Sequence, residues 1–140
     1  MKKIIFVITV ILTVISLSPA QTSIQLRNIE EHRLEHARKN FAMGLRSGNE
    51  GVIESTMTLV AKMKLVEPAV DIHNLGFLID SLASANVAPS LRYKAYLISN
   101  ICATPTRFSS NELLNAPEAG VFFSIAAQQL QHVLLGISSL

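Results

Sequence analysis

Beyond residue 20 no stretch of this chain alternates apolar and polar side chains at period two, which excludes a sheet from the expected fold. Apolar residues return instead at helical spacing, in segments closed by short polar turns. The first helix is expected over 28–46, with Leu34, Ala37, Phe41 and Leu45 in line, and Ser47-Gly48-Asn49 stops it. A second runs over 51–65, with Val52, Ile53, Thr56, Met57, Val60 and Met63 on one face, and Glu67-Pro68 closes it. The third spans 69–85, burying Ile72, Leu75, Ile79 and Leu82, with Pro68 suited to its start. The fourth spans 89–103, with Leu91, Ala95, Ile98 and Cys102 in line. A short helix over 111–115, capped by Ser110, precedes a last one opening at Pro117-Glu118. That last helix carries Phe122, Phe123, Ala126, Ala127, Leu130, Val133, Leu134 and Ile137 on one side.

The first twenty residues read differently. Lys2 and Lys3 precede an uncharged apolar run from Ile4 to Leu17, which gives way to Ser18-Pro19-Ala20. This is the pattern of a signal peptide with small residues at −3 and −1, cleaved after Ala20. The run is shorter than the roughly 20 residues that span a bilayer as a helix, so no stable membrane anchor is expected after cleavage. Residues 21–140 then form one helical domain, exported to the periplasm or the medium. Without Lys2 and Lys3 the twelve Lys and Arg become ten, equal to the ten Asp and Glu. A neutral chain has no field to draw it onto phosphate, so nucleic acid is not an expected partner.

The long-helix, short-turn, long-helix pattern recurs. Leu45-Arg46-Ser47-Gly48-Asn49 can be laid over Leu82-Ala83-Ser84-Ala85-Asn86, and Val52 and Thr56 over Leu91 and Ala95. In the second copy Pro89-Ser90-Leu91-Arg92-Tyr93-Lys94-Ala95 resembles the start of the second helix of a HEAT-type repeat, where Pro, an aliphatic-Arg pair and a later Ala recur. The first copy has Gly51 in place of Pro, and Glu54 and Ser55 near the Arg position. The resemblance covers residues 28–103 and implies an all-α stack of antiparallel helical hairpins, an α-solenoid fragment. By analogy with HEAT-like surfaces, it also implies a protein partner.

Three features bear on chemistry. His32-Arg33-Leu34-Glu35-His36 matches the H-x-x-E-H signature of inverzincin zinc peptidases. That resemblance implies His32 and His36 as zinc ligands, Glu35 as general base and Glu112 as a third ligand. At about 100° per residue, however, both histidines lie opposite Leu34, Phe41 and Leu45. They face water there, whereas a hydrolytic zinc site needs a dry cavity. The other reading is a solvated face laced with i,i+4 pairs such as Glu35/Lys39. Cys102, the single thiol, is expected as a small buried hydrophobe, with an intermolecular disulfide or a reactive thiol as the sharper reading.

The fourth helix presents Tyr93, Tyr96 and Asn100, flanked by Arg92, opposite its aliphatic line. Tyr and Arg anchor interfaces more often than other residue types, which makes this stripe the candidate contact site. Packing of both rings between hairpins is the competing arrangement. Residues 119–140 carry no formal charge. A membrane span there would strand Gln128, Gln129, Gln131 and His132 in hydrocarbon. Docking of that amide-rich face on the rest of the chain or on a second subunit, giving a homo-oligomer, is the expected alternative. The reading that follows is an exported, noncatalytic protein-interaction module without catalytic residues or cofactor. A zinc-dependent hydrolase using residues 32–36 is the alternative, and zinc content after mild dialysis separates the two.

Overall fold

The computed structural model describes residues 19–136, with side chains placed from Arg27 onward. The leader expected over residues 1–20 therefore lies almost wholly outside the described residues, as does Ile137. Among the described residues six α-helices follow one another: α1 (Pro19–Leu45), α2 (Glu50–Val66), α3 (His73–Ser84), α4 (Pro89–Ala103), α5 (Ser110–Leu114) and α6 (Ala119–Leu134). A 3-10 turn, Pro105–Arg107, separates α4 from α5, and no strand occurs among the described residues. Two units divide after Ala37.

In the first unit α1 is polar along most of its length, with Glu30, Glu31, His32, Arg33, Glu35 and His36 all exposed. In the second, α4 is the axis: α2, α3 and α6 all pack against it. That arrangement explains why burial on α4 is wider than the periodicity predicts. Leu91, Ala95 and Ile98 are buried as expected, and Leu97 and Ile101 join them because a helix covered on three sides has little surface left.

Local chemistry sets the helix ends. Asn49 caps α2, its side-chain oxygen accepting from the Val52 amide at 3.2 Å, and Glu50 sits in the first turn where the helix dipole favours an anion. Pro89 opens α4 at the position where a missing N–H costs nothing. The third helix begins at His73 rather than near 69. Lys64 Nζ donates to the Val70 carbonyl at 2.9 Å, and the Asp71 carboxylate accepts from the His73 amide at 3.0 Å. The 67–72 segment thus becomes a turn that buries Val70 and Ile72 before the helix starts. Ser110 lies inside α5 instead of capping it, and Ser109 takes the cap position.

Long-range polar contacts tie these elements together. Lys62 on α2 donates to the carbonyls of Leu114 and Ala116 at 3.2 and 3.0 Å, and its ammonium stands 6.0 Å from the centre of the buried Phe122 ring. Lys94 on α4 pairs with Glu54 on α2 and lies 5.4 Å over the Phe123 ring. Of the amide-rich face of α6, Gln129 is the member that docks on the chain: it accepts from the Ser109 amide at 2.9 Å and donates to Glu112 at 2.7 Å. Gln128, Gln131 and His132 face outward. Val52, expected on the buried face of α2, is 44% exposed, since the covered side of that helix centres on Ile53, Met57, Val60 and Ala61.

Candidate functional site

The side of α4 turned away from α2, α3 and α6 carries the expected stripe. Tyr93 is 50% exposed and Tyr96 46%, so neither ring is packed between hairpins, and Arg92 beside them is exposed too. Asn100 belongs to the stripe by position only. Its side-chain amide donates to the Tyr96 carbonyl at 2.8 Å and so turns along the helix rather than outward. Three side chains, Arg92, Tyr93 and Tyr96, therefore present a guanidinium and two amphipathic rings to solvent.

A second feature was not legible in the sequence. A groove of about 530 Å³ opens between the 69–72 turn, α3 and the end of α4, with Lys64, Phe77, Asp80, Ser99 and Cys102 in its wall. Asp80 accepts a hydrogen bond from the Ser99 hydroxyl at 2.6 Å across the α3–α4 seam. Phe77, 70% exposed, forms part of the rim. The one available signal was Asp80, the single formal charge in α3, since an isolated carboxylate in an apolar helix needs a polar partner or water.

Cys102 lies on the edge of the buried line, half-covered by the groove wall. Burial pushes its thiol up from 9.0 to about 12, Lys64 opposes the rise, and Asp80 adds to it. A protonated thiol is a poor nucleophile, so the group behaves as a small apolar side chain. Cys102 should react slowly with a maleimide at pH 7–8 in the native state and rapidly in denaturant; rapid native labelling would overturn its assignment. Because its folded pKa is raised, the stability it contributes is fully present below 9.0 and is lost as pH rises toward about 12.

On α1 His32 and His36 are exposed, with ring centroids 4.7 Å apart and planes inclined by 51°. Glu112 is engaged by Gln129. Among the described residues, no three His, Cys, Asp or Glu side chains are grouped so as to hold a metal. No protein-family model, curated protein or solved structure matches the chain.

Proposed function

We propose that this chain is an exported, noncatalytic helical protein-interaction module, contacting a protein partner through Arg92, Tyr93 and Tyr96. The observation that carries the reading is the exposure of two tyrosines, one turn apart, on a helix whose leucines and isoleucines are all buried. Such rings bring large contact area at low cost in rotamer entropy, and the neighbouring guanidinium adds a planar donor. The HEAT-like arrangement is part of the same proposal. Its support is that α4 packs both on α3, its partner across the 85–88 turn, and on α2.

The test is Tyr96→Ala, examined by a denaturation midpoint and by binding to a partner captured from the native envelope fraction. Truncating a hot-spot tyrosine is expected to weaken binding by about 2 kcal/mol or more while leaving the midpoint nearly unchanged. A sharply lowered midpoint with binding intact would sink the interface. Export rests on Ser18-Pro19-Ala20, and intact-mass measurement of secreted material should give a chain that starts at Gln21. A membrane-bound product retaining residues 1–20 would overturn it.

A further inference from the structure

The histidine pair on α1 has a geometry that the interaction reading leaves unused. His32 and His36 are one helical turn apart, both exposed, and their ring centroids stand 4.7 Å from one another. An imidazole nitrogen binds a first-row cation at about 2.0–2.1 Å, and the ring centre lies about 1.1 Å further out, so a ligating ring has its centroid about 3.2 Å from the metal. Two such rings are about 4.5 Å apart when they meet the metal at a right angle, and about 5.2 Å apart at the tetrahedral angle. The observed spacing of 4.7 Å lies between these two values, so the rings stand where one cation can meet both. For a given set of nitrogen ligands copper binds more tightly than nickel or zinc, so it is the cation that such a pair holds best.

We propose that His32 and His36 form a two-point chelate for a divalent transition cation of the copper or nickel type, with water filling the remaining positions. Both imidazoles are open to a cation from solvent, because both face water, and imidazole nitrogen is a ligand of the softness these cations favour. The i,i+4 spacing brings the two rings onto one metal only while residues 32–36 are helical, so the cation also stabilises that turn of α1. Glu35 and Glu112 have no part in this site. Two protein ligands on an open helix face supply neither the general base nor the dry cavity of a hydrolytic centre, so the site binds and does not catalyse.

The experiment titrates the full chain with Cu(II), Ni(II) and Zn(II) separately, in a non-coordinating buffer, by calorimetry and by thermal midpoint. It is repeated on His32→Ala, His36→Ala and the double variant R33H/H36A, which keeps the number of histidines but places them side by side. All four proteins retain His73 and His132, so any adventitious single-histidine binding is common to them. The expected order of affinity is copper over nickel, with zinc weaker than copper. Each alanine variant should bind copper about 100-fold more weakly, the loss of one arm of a chelate, and R33H/H36A should match them. The metal should raise the thermal midpoint of the native chain alone, while the midpoints without metal stay together. Equal copper affinity in all four proteins, native-like binding by R33H/H36A, or a preference for zinc would each overturn the chelate.

Discussion

Phe122→Ala is expected to lower the free energy of unfolding by about 3–5 kcal/mol, the range for deleting a large buried aromatic ring. The ring is fully buried on α6 and meets Phe123 edge-on at 5.8 Å between centroids. What lies above it raises the cost. The Lys62 ammonium sits 6.0 Å from its centre while donating to the Leu114 and Ala116 carbonyls. Removing the ring leaves a cavity beneath a partly buried cation, and the surrounding helices cannot close it without giving up those hydrogen bonds. Urea denaturation measures the loss. Phe122→Leu, which keeps most of the volume, should cost less than half as much. A change below about 1 kcal/mol for the alanine variant would mean that the site is not packed as described.

The second large effect comes from a position with no side chain. A Cβ built on Gly44, near the end of α1, runs into Thr56 Oγ1 on α2, with Cγ2 at 3.0 Å and Cβ at 3.1 Å. Thr56 cannot swing aside freely, because its hydroxyl donates to the Val52 carbonyl at 2.7 Å. In an open helix, replacing Gly by Ala gains roughly 1 kcal/mol. Here Gly44→Val should instead cost about 3 kcal/mol, the upper part of the range for overpacking. Adding Thr56→Ala removes two of the three obstructing atoms and should return at least half of the loss, a coupling that a double-mutant cycle reads directly. If the two changes are merely additive, the close approach of α1 and α2 at this point is wrong.

The sequence carried the helical class and most boundaries because those are written in local chemistry. Pro89 and Pro105 bracket α4, Asn49 starts α2, and the absence of period-two alternation left no place for a strand. It failed where a tertiary contact decides. The start of α3 moved to His73 because a lysine nine or so residues upstream reaches the Val70 carbonyl, and no periodicity encodes that. Leu97 and Ile101 were missed because an amphipathic stripe presumes one covered side, whereas α4 has three neighbours. The same reasoning divides the site. The place of Tyr93 and Tyr96 opposite Leu91 and Ile98 was legible, whereas the choice between exposure and packing between hairpins was not, because it depends on which neighbours cover that side; the structure leaves both rings exposed. Asn100, at the right angle on the helix wheel, turned to its own backbone, and the groove holding Lys64, Asp80 and Cys102 exists only once three separate segments meet.

The central place of α4 also orders the assembly of the chain in time. Its seam with α3 closes across a loop of four residues, 85–88, whereas the grip of Lys62 on Leu114 and Ala116 joins positions 52 and 54 residues apart. The entropy of closing a loop grows with the logarithm of its length, so the distant grip costs about 2 kcal/mol more to bring together. Local contacts of the α3–α4 hairpin therefore form ahead of it, and the polypeptide that follows α4 joins a surface already made. A helix that serves as the hub of the finished core is thus also expected to be the template on which the last quarter of the molecule condenses.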